Sequence, residues 1–172
     1  MSVDKSEARK AAFGRRKAAF GQGLDAAAQA HLRVAFAGFK GKPLAGYMPI
    51  RTEIDPLPVM AEWAAPVGVP VIQGEGQALR FHRWIPGCEM VDGPFGAQLP
   101  AEAEEVVPEV LIVPLVAFDA RGYRLGYGGG CYDRTLEGLR AARKTVAIGY
   151  AFSAQAMDRC RWSRRISGWM QW

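Results

Sequence analysis

The sequence predicts an α/β fold, a three-layer α/β/α sandwich with a mostly parallel central sheet in a single domain. Three observations carry this. Short apolar runs bounded by Gly and Pro alternate with longer segments of helical period, the pattern of strands joined by helices. One run, Val110-Leu-Ile-Val113, is apolar throughout, as a buried strand must be. The chain has 172 residues, a length that suits one domain able to bury about 70% of its surface. It contains no internal repeat, coiled-coil heptad or low-complexity segment.

Residues 5–20 are rich in Ala, Lys and Arg, lack proline, and are expected to form a helix. A second helix is expected from Asp25 to about Phe39, with Leu24, Ala28, His31, Leu32 and Ala35 near helical spacing and Asp25 placed to cap it. Pro43 to Ile50 reads as a short strand interrupted at Pro49. Pro56 to about Ala65 reads as a helix with proline in its first turn. Val67 to Ile72 and Ala78 to His82 read as two more strands, and residues 86–109, rich in Gly, Pro and acids, as a long surface connection. A strand over 110–114, a glycine-rich turn, a helix over 132–142 and a strand from Thr145 to Tyr150 follow.

Composition excludes several classes of function. The chain is 49% hydrophobic and 23% charged, ordinary for a soluble globule, and no apolar run approaches the roughly 20 residues that span a bilayer. The N-terminal segment has no apolar core and does not read as a secretory signal. Cys88, Cys131 and Cys160 are odd in number and far apart, so neither a disulfide framework nor a zinc site is expected, and the cytoplasm is the expected compartment. The net charge is +5, but Arg159, Arg161, Arg164 and Arg165 supply +4 of it, leaving a nearly neutral body. That distribution argues against nucleic acid and membranes as partners. His31 and His82 have no companions that suggest a triad or metal cluster.

The stretch Phe118-Asp-Ala-Arg-Gly-Tyr-Arg-Leu-Gly-Tyr-Gly-Gly-Gly-Cys-Tyr-Asp-Arg134 carries the functional signal. It lies between a strand and a helix, with glycines at 126, 128, 129 and 130. Such a turn exposes several N–H groups at the positive end of a helix dipole, which makes a phosphate cradle. Arg121, Arg124 and Arg134 can neutralise phosphates, and Asp133 can hold a divalent cation. The turn is neither a Walker A loop nor a dinucleotide fingerprint. The plainer alternative is a packing turn with Asp133 as a helix cap. Lys5 and Arg9, four apart on one helix face, could reach the phosphates or simply face solvent. Glu53, after the strand and Pro49, could accept hydrogen bonds from a ligand's N–H groups. Phe81 and Trp84 could wall an aromatic ligand or pack in the core.

With Lys5-x-x-x-Arg9, Tyr47-Met-Pro-Ile-x-x-Glu53, Phe81-x-x-Trp84-x-Pro-Gly87 and Gly93-x-Phe-Gly96 in the same order, this signature resembles the 5-formyltetrahydrofolate cyclo-ligase (methenyltetrahydrofolate synthetase) family over about residues 5–157. The resemblance implies ATP- and Mg²⁺-dependent closure of 5-formyltetrahydrofolate to 5,10-methenyltetrahydrofolate, with ADP and phosphate released, by a protein acting on small molecules and expected to be a monomer. It implies ATP contacts from Lys5, Arg9, Arg124, Leu125, Gly126, Tyr127, Gly128, Gly129, Gly130, Cys131 and Tyr132. Folate would meet Met48, Glu53, Trp84 and the backbone of Tyr127 to Cys131. Arg124 and Tyr127 would be catalytic and Asp133 a magnesium ligand. Cys131 replaces an aromatic residue usual in the family and reads as a packing variant.

After Met157 the resemblance stops. Residues 158–172 hold three of the five tryptophans and four arginines, an abrupt shift for the end of a globule. The family would continue with Val-Pro-x-Glu-Pro. Arg159-Cys-Arg-Trp-Ser-Arg can be coded so that a shifted frame reads Val-Pro-Met-Glu-Pro. A frameshift just after Met157, with loss of a second carboxylate near the magnesium, is one expectation, and an inactive nucleotide- or folate-binding relative is its functional counterpart. An unusual but functional C-terminus is the other.

Overall fold

A computed structural model describes residues 4–160. The chain runs through α1 (Lys5–Ala19), α2 (Asp25–Phe36) with a 3₁₀ turn (Ala37–Phe39), β1 (Leu44–Ala45), α3 (Leu57–Glu62), β2 (Val67–Val71) and β3 (Arg80–Arg83). It continues through β4 (Met90–Asp92), β5 (Gln98–Pro100), β6 (Val110–Pro114), β7 (Ala117–Phe118), β8 (Arg124–Leu125), α4 (Cys131–Ala142), β9 (Val146–Tyr150) and a 3₁₀ turn (Ser153–Gln155). Five strands form the central sheet in the order β3-β2-β1-β6-β9. All neighbours are parallel except β2 and β3, so the mostly parallel sheet expected from the sequence is present.

Strand alternation divides the core into two layers. Leu44, Val67, Val69, Val110, Ile112 and Ile148 point to one face and pack with Leu32 and Phe36 of α2 and Val59 and Met60 of α3. Ala45, Phe81, Leu111, Val113 and Ala147 point to the other and pack with Leu136 of α4. Val110 to Val113 are fully buried because both faces are covered. A separate cluster fixes α1: Ala8 and Ala12 pack on Val116, Ala117 and Leu125.

Three expectations are corrected. The strand expected over 43–50 is confined to Leu44 and Ala45; beyond it the Gly46 amide still donates to the Gly68 carbonyl at 2.9 Å before the chain turns away. The connection 86–109 contains the β4–β5 hairpin, whose short strands alternate too weakly to stand out. Asp25 does not cap α2; it lies in the first turn and its carboxylate accepts from the Asp55 amide at 3.4 Å.

The sheet order places the site. From β1 the chain moves through α3 to β2 on one side, whereas β6 leads through α4 to β9 on the other. Connections leaving the carboxyl ends of β1 and β6 therefore diverge to opposite faces, opening a crevice between them. Ligands bind at this position in open α/β sheets.

Candidate active site

Three segments meet at that crevice: the turn 46–56 after β1, the glycine-rich turn 126–130 before α4, and one face of α1. The turn after β1 folds back on itself. Glu53 Oε1 accepts from the Ile50 amide at 2.8 Å, and Arg51 is held at φ 52°. Glu53 is 6% exposed. Burial pushes its carboxyl above the usual range, held back by the Ile50 amide, the Tyr127 hydroxyl and the charges of Arg16 and Arg51.

The glycine-rich turn is carried by the β7–β8 hairpin, which sequence reasoning did not anticipate. Its tip is organised by fully buried Asp119, which accepts from the amides of Arg121 at 2.9 Å and Tyr123 at 3.2 Å and pairs with the Arg121 guanidinium at 2.8 Å. Gly128 and Gly130 take φ of 104° and 71°, where other residues are strained. Side chains also fill the space beside these glycines: a Cβ on Gly130 would lie 2.8 Å from Arg134 Nη1, and one on Gly128 3.3 Å from Arg9 Nη2. Among the described residues, no amide from Gly126 to Asp133 donates to a backbone or side-chain acceptor.

Arg124 stands beneath this turn, 7% exposed, with its guanidinium 5.6 Å from the centre of the Tyr132 ring. Its Nη2 donates to Asp133 Oδ1 at 3.3 Å, while its buried Nε and the buried Tyr132 hydroxyl have no partner among the described residues. Burial lowers its pKa against the opposing pull of Asp133, yet a guanidinium remains a cation. Asp133 therefore meets Arg124 rather than capping α4, whose N-cap is Gly130.

Arg9 reaches the turn, its Nε donating to the Gly126 carbonyl at 2.9 Å. Lys5, one turn earlier on α1, is exposed. Leu125 and Cys131 pack in the cores beside the turn, and the Cys131 carbonyl accepts from Thr135 at 2.6 Å. Met48 packs against the core on the α2–α3 face. Trp84, 8% exposed, joins that same core, while Phe81 joins the core on the opposite face. Of the two alternatives left open for these rings, core packing is the one found.

Sequence reasoning missed Arg16. It is 1% exposed; its Nε donates to Thr52 Oγ1 at 2.9 Å and its Nη1 to the Tyr127 hydroxyl at 2.5 Å. That hydroxyl donates to Glu53 Oε2 at 2.7 Å. A signal was available, since Arg16 follows Arg9 by seven residues, two helical turns, and so shares its face. Arg16, Tyr47, Glu53, Tyr150 and Gln155 line a narrow crevice beside the end of the sheet.

The tail reading falls mostly on residues 161–172, outside the described residues. Up to Cys160 the chain is anchored: the Met157 amide donates to the Phe118 carbonyl at 2.8 Å and the Cys160 amide to Asp119 Oδ2 at 2.9 Å.

The chain as a whole is similar to several known proteins. The 5-formyltetrahydrofolate cyclo-ligase of Haemophilus influenzae is 38% identical over 85 residues, 46% of this chain and 45% of that protein. The Escherichia coli K12 protein of the same name is 37% identical over 119 residues, 62% of this chain and 63% of that one. These matches cover less than two thirds of either relative. The NMR structure of Aquifex aeolicus 5,10-methenyltetrahydrofolate synthetase aligns with a TM-score of 0.72 at 29% identity, over 94% of this chain and 86% of that one. The Mycoplasma pneumoniae synthetase, 24% identical with a TM-score of 0.72, has the same fold. The model of the 5-formyltetrahydrofolate cyclo-ligase family matches residues 9–161, past the Met157 boundary read from the sequence. With nearly the whole described chain inside that match, the protein belongs to the 5-formyltetrahydrofolate cyclo-ligase family.

Proposed function

We propose that the protein closes 5-formyltetrahydrofolate to 5,10-methenyltetrahydrofolate at the expense of ATP, as a cytoplasmic monomer acting on small molecules. The observation that carries this reading is the buried Arg124, whose Nε lacks a partner among the described residues, beside a turn whose amides are likewise unpaired among them. A buried cation close to several unmet donors suits an oligophosphate.

In this reading the turn from Arg124 to Tyr132 and Arg9 hold the triphosphate, Lys5 adds charge from the rim, and Glu53 accepts N–H groups of the pterin. The formyl oxygen attacks the γ-phosphorus and ADP leaves. N10 then attacks the formyl carbon, the carbon–oxygen bond to phosphate breaks, and N10 gives up its proton. Both steps need positioning and charge neutralisation more than a protein nucleophile. Arg124 and the amides act where charge gathers on the transferred phosphoryl oxygens.

For Mg²⁺, the chain offers Asp133. It is partly exposed, and no group of three His, Cys, Asp or Glu side chains suited to a metal lies among the described residues. A single carboxylate fits a magnesium ion shared with phosphate oxygens and water, and does not fit a metal held by protein alone. When bound, the ion would neutralise phosphate charge.

Turnover of 5-formyltetrahydrofolate with ATP and Mg²⁺ tests the reading. Methenyl product whose formation collapses in Arg124→Ala is the expected result. Binding of both ligands without product would instead identify an inactive relative, and wild-type turnover in Arg124→Ala would overturn the assignment of the turn.

A further inference from the structure

We infer that Arg16 is a positioning residue which, through the Tyr127 hydroxyl, fixes Glu53 as a hydrogen-bond acceptor for the pterin; this rests on the function proposed above. The starting point is an anomaly of burial. Arg16 is among the most deeply buried side chains, yet forms no ion pair with a described residue. Removing a cation from water is costly unless its surroundings compensate. Here they do so in part, through Thr52, through the Tyr127 hydroxyl, and through the rings of Phe13 and Tyr127, whose centroids lie 5.0 and 5.8 Å from its Cζ. Ala8 and Ala12 anchor the N-terminal half of α1 separately, on Val116, Ala117 and Leu125.

Hydrogen-bond polarity gives the arrangement a direction. A guanidinium only donates, so the Tyr127 oxygen must accept from Arg16. The one hydroxyl proton of Tyr127 is then free to point to Glu53 Oε2, 2.7 Å away. The Ile50 amide likewise donates to Oε1. Both oxygens of Glu53 therefore face donors, and each retains a lone pair for a ligand. A proton on either oxygen would occupy the lone pair left for the ligand.

The groups facing Glu53 can be named element by element: Arg16 from α1, Arg51 from its own turn, Tyr47 after β1, Tyr127 from the glycine-rich turn and Tyr132 from α4. Among the described residues, Arg16 and Arg51 are the positive charges that act on it, and Arg16 is the one connected to it by a hydroxyl. Burial raises the Glu53 carboxyl, and Arg16 and Tyr127 oppose that rise. The same relay links the turn bearing the unmet amides to the turn bearing the folate carboxylate.

The test is a ¹³C NMR titration of the Glu53 carboxyl in the ligand-free protein, comparing wild type with Arg16→Lys, Arg16→Gln, Tyr127→Phe and the Arg16→Gln/Tyr127→Phe double variant. Arg16→Gln and Tyr127→Phe should each raise the midpoint, by about one unit or tenfold in proton affinity. Arg16→Lys, which keeps the charge, should shift it less. The double variant should move less than the sum of the two, because each breaks the same chain. Should Arg16→Gln fail to fold, Tyr127→Phe and Arg16→Lys with and without Tyr127→Phe carry the comparison. A midpoint unmoved by these substitutions, or strictly additive shifts, overturns the relay.

Activity separates this inference from the reading beneath it. The KM for 5-formyltetrahydrofolate should rise in Arg16→Gln, most steeply at acid pH, while the KM for ATP changes little. An equal loss at every pH, tracking thermal stability, would make Arg16 a packing residue and overturn the inference. Shifted titrations in a protein that never turns over 5-formyltetrahydrofolate would support the relay and sink the proposed function alone.

Discussion

The two sides of the crevice treat their polar groups in opposite ways. On the glycine-rich side, the buried Nε of Arg124 and the amides from Gly126 to Asp133 have no partners among the described residues. On the Glu53 side, Arg16, Thr52, Tyr127, Ile50 and Glu53 satisfy one another. A surface of unmet donors can receive an anion without first breaking anything. A self-satisfied network must give up or share a bond for each one it forms, and its net gain per contact is correspondingly smaller. The glycine-rich side should therefore lose most when a donor is removed, and the Glu53 side should respond mainly through protonation.

Arg124 gives the largest expected effect. Arg124→Ala should lower kcat/KM for ATP by about a hundredfold or more, the scale on which deleting one preorganised donor acts. Its thermal stability should fall little, since the carboxylate it leaves behind, Asp133, is partly exposed and stays solvated. Arg124→Lys retains the charge without the planar fork and should recover only a small part of the activity. Melting curves beside steady-state kinetics check this. A large loss of stability with kinetics intact would erase the contrast between the two sides.

The scaffold beneath the turn comes next. In Asp119, burial pushes the carboxyl up, but donation from the Cys160, Arg121 and Tyr123 amides and the Arg121 guanidinium outweighs it, and the net pKa lies below the usual aspartate range. A depressed folded-state pKa contributes stability that is complete above the unfolded value, about 3.9, and is lost as pH falls through the folded value. Asp119→Asn should thus cost about 2 kcal/mol at pH 7. Denaturant unfolding should find that gap narrowing as pH drops below about 4. A gap independent of pH would contradict the assignment.

Smaller again is the effect of closing the space in the turn itself. Gly128→Ala must hold a Cβ at φ 104° and 3.3 Å from Arg9, at a cost of about 1–2 kcal/mol. The KM for ATP should rise about tenfold if that strain displaces the amides. Gly129→Ala, with negative φ and its nearest neighbour at 3.6 Å, should do much less. Equal effects at both positions would mean that the backbone shape of the turn is not what binds.

The same contrast explains what could be read from the sequence. The glycine-rich side is built by contiguous residues, so Phe118 to Arg134 announced it directly. The sheet was legible because Val110 to Val113 and Val146 to Tyr150 are buried strands whose apolar character survives in one dimension. The Glu53 side is assembled from residues 16, 52, 53 and 127, and the one sign of Arg16, its place two turns after Arg9, does not by itself tell it from exposed Lys5, Lys10 and Lys17 on the same helix. The hairpins β4–β5 and β7–β8 were missed because strands of two or three residues carry no measurable period, and their shape comes from contacts such as Asp119 with Arg121 and Tyr123. For Phe81 and Trp84 the sequence left a ligand wall and core packing open, and they pack in cores on opposite faces of the sheet.

The smallest effect concerns Lys5, where the contrast can be sharpened within one helix. Lys5 and Arg9 lie one turn apart, but Arg9 is already docked on the Gly126 carbonyl and beside Gly128, whereas Lys5 is exposed. An ammonium in solvent acts through screened Coulomb attraction, so Lys5→Ala should raise the KM for ATP only about two- to threefold at low ionic strength. Salt near 1 M, where the Debye length is about 3 Å, should abolish the difference between Lys5→Ala and wild type. Arg9→Ala should lose more and retain its deficit in salt, because it also removes a hydrogen bond that shapes the turn. A Lys5→Ala defect as large as that of Arg9→Ala, and as resistant to salt, would mean that the ammonium folds down onto the ligand, so that the unmet donors of the turn share their load with the helix.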